Sequence, residues 1–231
     1  MCGRYVIALE GIALADALHQ RFGVELPLPQ VPNTYNAART QQLPVILTRE
    51  DGPRRVELMR WNLIPRWQKP GAREFNTINA RAETVAVKPT FRHLIARHRC
   101  LVPASGFYEW RVDDTGARYP FYFSLQEEPL FAFAGLWDEW TNRDVPDGPP
   151  IRSYTILTTV ANTVVTPIHD RMPVILKPED EAEWLSPEVT DPAQVERLYQ
   201  PYPADAMQRW AVSQAVNSTR QNKAELILNS Q

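Results

Sequence analysis

Two hydrophobic periods run along this chain. Ile12, Ala15, Leu18 and Phe22 recur at intervals of three and four, which predicts an amphipathic helix over residues 11–22. Elsewhere the apolar runs are short, rich in β-branched and aromatic residues, and bounded by turn formers, so they predict strands. Residues 43–48 and 56–61 form one such pair, separated by an Asp51-Gly52-Pro53 turn. Further strands are predicted at 100–103, 107–112, 119–125, 130–136 and 153–159, with turns at 113–116 and 127–129 and a polar, Pro-rich loop at 144–150. Residues 89–98 predict a helix with Pro at its start; 178–185 and 192–199 predict short late helices, the second capped by Asp191. Strands cluster in the middle instead of alternating with helices. The expected class is therefore α+β, a mostly antiparallel and strongly twisted, barrel-like sheet with peripheral helices. With no repeat, low-complexity segment or linker, residues 1–231 are expected to form a single domain.

Composition refines this picture modestly. The chain has 231 residues, 44% hydrophobic and 23% charged, as in an ordinary globular protein. A net charge of -2 excludes a uniformly basic nucleic-acid binder, although a local basic surface is compatible with it. Lys69, Lys88, Lys177 and Lys223 are the only lysines among 25 basic residues. Arginine suits bidentate phosphate contacts, though a GC-rich genome produces the same bias. Two cysteines and four histidines give no disulfide framework and no zinc spacing, so no metal or cofactor is expected. His93 and His98 are five apart and do not share a helix face. No apolar run reaches transmembrane length and no signal peptide opens the chain, so the cytoplasm is the expected compartment.

The candidate chemistry starts at Cys2, in Met1-Cys2-Gly3-Arg4-Tyr5. A small second residue favours removal of Met1, leaving an α-amine and a thiol on one residue. Such an aminothiol condenses with an aldehyde to an imine and closes to a thiazolidine, with intramolecular effective molarity behind the closure. An α-amine of pKa about 7.7–8.0 is partly neutral near neutrality. The plainer alternative is that Cys2 is a small buried hydrophobe.

Four polar clusters accompany it. In Ile78-Asn79-Ala80-Arg81-Ala82-Glu83-Thr84, Asn79 offers an amide to orient an amine or thiol and Arg81 a phosphate contact, or the segment is simply a turn or helix start. In Ser105-Gly106-Phe107-Tyr108-Glu109-Trp110, a strand places Glu109 opposite Tyr108 and Trp110; partial desolvation there would suit it to proton transfer. His169-Asp170-Arg171-Met172-Pro173 combines an acid/base residue with a cation. Arg60-Trp61-Asn62-Leu63-Ile64-Pro65-Arg66-Trp67 interleaves arginine with tryptophan, a pattern that suits single-stranded nucleic acid; Trp61 reads as core and Trp67 as the better stacking candidate.

These five blocks, in this order, resemble the SOS-response-associated peptidase family, as do Thr158-Thr159-Val160-Ala161-Asn162 and Val216-Asn217-Ser218. The resemblance implies a sensor and shield of abasic sites in single-stranded DNA that forms a covalent thiazolidine crosslink through Cys2, with possible autoprocessing ahead of it. On matched positions it implies catalytic roles for Cys2, Asn79, Glu109 and His169. It implies phosphate contacts from Arg4, Arg81 and Arg171, and base contacts from Trp61 and Trp67. Single-stranded DNA with an abasic site is the expected partner, with no membrane or metal and a monomeric protein that associates with the nucleoid when bound. Two positions depart from the family pattern: Asn62 stands where Gly is usual, and Arg39 where Pro is expected. Two alternatives are a glutamine amidotransferase-like hydrolase, whose Asn-Gly oxyanion pair this chain lacks, and a non-covalent single-strand-binding module that needs neither Cys2 nor Glu109.

Overall fold

A computed structural model describes residues 2–9, 13–31, 33–49, 52–145 and 147–230. Two sheets carry the fold. Its strands, in chain order, are β1 (Arg4–Ile7), β2 (Thr34–Ala37), β3 (Gln42–Arg49), β4 (Gly52–Trp61), β5 (Asn79–Arg81), β6 (Arg99–Ala104) and β7 (Gly106–Val112). They continue with β8 (Arg118–Leu125), β9 (Phe131–Trp140), β10 (Ile151–Val160), β11 (Arg171–Pro173), β12 (Ile175–Leu176) and β13 (Met207–Ala211). The first sheet has the order β13-β8-β7-β1-β2 and is antiparallel throughout. The second runs β11-β10-β4-β3-β6-β9-β12, and β9 also pairs with β10, so β10-β4-β3-β6-β9 closes into a ring. Closure removes the edges that an open sheet would expose. Only β4 and β5 lie parallel to β10 among these pairings. The α+β, barrel-like architecture expected from the pattern is the one observed.

Period-two alternation decides which side chains enter which core. In the first sheet Tyr5, Ile7, Phe107 and Phe123 point into the large cluster shared with Trp61 and Phe133 of the ring. Their neighbours Val6, Tyr108 and Tyr122 point the other way, into a smaller cluster with Val212, Val216 and Leu226 from the C-terminal segment. The strands flanking Cys2 and Glu109 are thus covered on both faces, which holds the two residues in place. Gly106 makes part of this possible. A Cβ there would lie 2.2 Å from the Tyr122 ring, whose hydroxyl crosses β7 to donate to the Ser105 carbonyl at 2.9 Å.

The helices are short and peripheral. α1 (Leu14–Phe22) buries Leu14, Ala17, Leu18 and Phe22 and stops at Gly23, whose φ of 63° suits a left-handed C-cap. Ile12 and the start of the predicted 11–22 helix lie outside the described residues. α2 (Ala82–Val85) follows β5 directly. Of the helix predicted over 89–98, only α3 (Leu94–Arg97) is α-helical; the preceding residues form turns. Arg99 ends it by donating to the orphan carbonyls of Ile95 and Ala96 at 2.7 and 3.1 Å. α4 (Glu181–Leu185) and α5 (Pro192–Val195) fall where late helices were expected, and the Asp191 side chain accepts from the Ala193 N–H at 3.0 Å. Among the described residues no helix is long and apolar enough to cross a membrane.

Candidate active site

β1 and β7 are antiparallel neighbours with Arg4 opposite Tyr108 and Tyr5 opposite Phe107. The start of the chain therefore runs toward the end of β7 that carries Glu109. Cys2 is fully buried and belongs to the main core cluster. Its thiol donates weakly to the Arg4 carbonyl, with Sγ and O 3.6 Å apart. Burial, then the charge of Glu109, pushes the thiol well above the usual cysteine range, so it stays protonated at rest. From across the ring, β5 brings Asn79, whose Nδ2 donates to the Cys2 carbonyl at 2.8 Å. The other amide atom, Oδ1, is buried and has no protein partner among the described residues. An unused buried acceptor beside the first residues of the chain is available to an amine donor.

Glu109 is 3% exposed although it is a carboxylate. Burial pushes its proton affinity above the usual carboxylate range, against the opposing influence of His169. Gly3, Arg4, Glu109, Trp110, Arg118 and His169 line one cavity of about 410 Å³. His169 sits at the start of the β11 approach. Its Nδ1 accepts from the Arg171 backbone N–H at 2.9 Å, which leaves the proton of the neutral ring on Nε2. Asp170 lies 2.9 Å from the same Nδ1, but it is strongly exposed, and a backbone N–H can only donate. A buried acid/base carboxylate and an Nε2–H imidazole thus share a cavity beside the chain's start. Among the described residues, no group of three or more His, Cys, Asp or Glu is placed to hold a metal ion.

The expected cations have different fates. Arg4 lines the cavity and is tied to neutral acceptors: Asn36 Oδ1 at 2.7 Å, the Val216 carbonyl at 3.0 Å and the Asn217 carbonyl at 3.4 Å. Arg81 is exposed and two positions beyond Asn79 on β5, so strand periodicity sets both on one side. Arg171 does not reach the cavity as a free cation. It is buried, forks onto the Glu83 carboxylate with one bond at 2.9 Å, and donates to the Thr158 carbonyl at 2.6 Å. This pairing ties β11 to α2 and β10.

The two tryptophans also separate. Trp61 is fully buried, lies edge-on to Tyr5 and parallel to Tyr154, and donates Nε1–H to the Ile78 carbonyl at 3.0 Å. The implied base contact is corrected on this point, because a ring closed into the core presents no face to a base. Trp67 is 48% exposed and lies 6.0 Å from Phe75, itself 50% exposed. Phe75 lines a separate hollow with Arg39, Arg73 and Glu74.

The two departures from the family pattern now have physical content. Asn62 has φ of 108°, a conformation that glycine adopts freely and L side chains rarely do. Its side chain offsets part of this strain: Oδ1 accepts from the buried Thr77 N–H at 2.9 Å. Arg39 pairs with Glu74 at 3.4 Å, and Arg60 holds the same carboxylate at 2.8 Å.

Residues the pattern did not single out complete the site. Buried Asn36 donates to the carbonyls of Val216, Ser218 and Gln221, fastening the C-terminal segment beside Arg4. Trp110 Nε1 donates to Asn217 Oδ1 at 2.7 Å, and Arg118 lies over the Trp110 ring at 5.3 Å. Trp110 and Asn217 fall inside quoted motifs, whereas nothing in the sequence marks Arg118. Cys100 is core: its Sγ lies 2.8 Å from where a Cβ on Gly135 would be.

A buried cysteine at position 2 whose carbonyl accepts from an asparagine, with a carboxylate and a histidine in the adjoining cavity, is a defined constellation, and residues 1–219 match the SOS response associated peptidase (SRAP) family. The chain belongs to that family. Among its relatives is the abasic site processing protein YoqW of Bacillus subtilis, 41% identical over 229 residues, covering 98% of this chain and 99% of that protein. The abasic site processing protein HMCES of Rattus norvegicus is 30% identical over 271 residues, covering 98% of this chain and 75% of the relative. A crystal structure of a Bacteroides thetaiotaomicron protein superposes with a TM-score of 0.85 at 27% identity, covering 98% of this chain and all of that one. One from Bordetella bronchiseptica gives 0.76 at 30% identity, over 92% of this chain and all of that one.

Proposed function

We propose that this protein, acting as a single-domain monomer, senses and shields abasic sites in single-stranded DNA by a covalent crosslink through Cys2 once Met1 is removed. The observation that carries the reading is the meeting of Cys2, its carbonyl held by Asn79, with buried Glu109 and with His169 at the adjoining cavity. The α-amine adds to the open-chain aldehyde carbon, and the carbinolamine loses one water to give an imine. The Cys2 Sγ then bonds to that carbon while its proton moves to nitrogen, so the sum is aldehyde plus aminothiol giving thiazolidine and water. Asn79 Oδ1 orients the amine. Glu109, kept protonated to a higher pH by burial, donates to the departing hydroxyl and takes the proton back from the attacking water in reversal. His169 Nε2–H serves the sugar oxygen as its ring opens. Arg4 and Arg81 hold flanking phosphates, and Trp67 with Phe75 offers faces for bases. The Cys2 thiol with the same acid supports autoprocessing ahead of Cys2, in which water hydrolyses the preceding peptide bond and frees the amine, and that amine then supports lyase-like imine chemistry at the lesion.

The test is a denaturing gel of the mature protein, its N-terminus verified by intact mass, with a single-stranded oligonucleotide carrying one abasic site. A shifted band that survives denaturation, and that is absent with intact DNA and with Cys2→Ala, is the expected result. No such band from protein shown to begin at Cys2 overturns the proposal.

A further inference from the structure

Some arginines of this chain are neutralised inside the protein. Arg60, Arg66, Arg152, Arg171 and Arg197 each meet a carboxylate. The cavity beside Cys2 holds two that do not. Arg4 is fixed by neutral acceptors alone. Arg118 forms no ion pair among the described residues and rests on the face of Trp110. Strand pairing explains how they meet. Arg4 on β1 lies opposite Tyr108 on β7, and Arg118 on β8 lies opposite Val112 on β7. Positions 108, 110 and 112 share one face, so Arg4, Trp110 and Arg118 stand together on the outer side of three adjacent strands.

Arg118 bears on Arg4. Burial first, and then the charge of Arg118, lowers the Arg4 guanidinium below the usual arginine range. The one acidic residue of the lining, Glu109, is buried and held toward its neutral form. Two like charges at one cavity, neither ion-paired among the described residues, are arranged for an anion that arrives with a ligand.

We infer that Arg118, together with Arg4, seats the phosphate that flanks the reacting sugar, with Trp110 as the fixed platform on which the Arg118 guanidinium lies. This rests on the proposed capture of abasic DNA, and it adds a positioning residue that no motif marks. Arg118 is exposed, so substitution there leaves the core intact.

The experiment uses the mature full-length protein and two readouts. The first is equilibrium binding to intact single-stranded DNA across salt, which requires no chemistry at Cys2. Arg118→Gln is expected to weaken binding about tenfold, the size of one lost charge-assisted bond. It should also reduce the slope of log affinity against log salt by about 0.7, one single-strand phosphate contact. Arg118→Lys should recover the slope. An unchanged slope in Arg118→Gln, or no recovery with lysine, overturns the inference even if crosslinking proceeds normally. The second readout is the crosslinking rate on abasic oligonucleotides in which single phosphates are replaced by uncharged methylphosphonates. Neutralising a phosphate next to the lesion should slow wild type more than Arg118→Gln, which keeps only the Arg4 contact to lose. Equal slowing of both proteins at every position overturns the assignment. Absence of any crosslink in wild type counts against the capture reading alone, because the binding readout still judges Arg118.

Discussion

Asn62 offers the sharpest test of how this fold holds its loop. Its φ of 108° lies outside the small left-handed well near 50–70° that L residues tolerate, so its Cβ carries strain of about 1–3 kcal/mol. Against this stands the bond from the Thr77 N–H to Asn62 Oδ1 at 2.9 Å, between residues that are 7% and 1% exposed. The Thr77 hydroxyl does not compensate for its loss, because it donates to the Leu63 carbonyl at 2.5 Å. In Asn62→Ala the strain remains and a buried N–H loses its acceptor, so stability should fall by about 1–3 kcal/mol. Asn62→Gly loses the same bond but relieves the strain, so it should be more stable than Asn62→Ala by about 1 kcal/mol. For a chain of this size each kcal/mol corresponds to about 2–4 °C in melting temperature. The assay is thermal and urea unfolding of the three proteins side by side. An alanine variant as stable as the glycine variant would refute the role of backbone strain. Wild-type stability in both would show that the Thr77 bond contributes nothing.

Other expectations follow from the same geometry. Glu109→Gln should slow crosslink formation and reversal about 10²–10⁴-fold, measured by single-turnover gel time courses. The same variant should be more stable than wild type near neutral pH. Burial raises the folded carboxyl, so the native state keeps its proton to higher pH than the unfolded chain does. Stability is therefore undiminished below the ordinary carboxylate value and falls as pH rises toward the raised one. The variant's advantage should vanish in acid, and a pH-independent difference in melting temperature would exclude this cause. Arg99→Met should cost about 3–5 kcal/mol, because carbonyls of Ile95, Ala96, Trp184, Ser186 and Val189 would lose one buried cation, and a loss under 1 kcal/mol in urea unfolding would refute this. Gly106→Ala should destabilise by about 1–3 kcal/mol and weaken crosslinking, since the Tyr122 ring must move off β7; an unchanged melting temperature would show that the ring moves freely.

Much of this architecture was legible from local pattern. The middle strands, the late helices with Asp191 as a cap, and the turn closed by Asp113 all follow from period, propensity and turn chemistry. The short strands β1, β2, β5, β11, β12 and β13 were not legible, because two to five residues carry too little period to register. The shortfall of the 89–98 helix was equally hidden. Its end depends on Arg99 reaching carbonyls in two separate helical segments.

By itself the sequence determined the chemistry on offer: a thiol at position 2, an amide at Asn79, a carboxylate in an aromatic strand at Glu109, and a histidine before Arg171. Tertiary structure alone decided which of these groups meet. Asn79 reaches Cys2 across 77 residues and Arg4 reaches Val216 across 212, because two sheets fold one over the other. It also decided the fate of like residues. Trp61 is closed into the ring while Trp67 faces solvent, and Arg171 is neutralised by Glu83 while Arg118 lines the cavity and lies over Trp110. The physical reason is that charge and aromaticity are properties of a residue, whereas burial and pairing are properties of the neighbours that long-range strand register supplies.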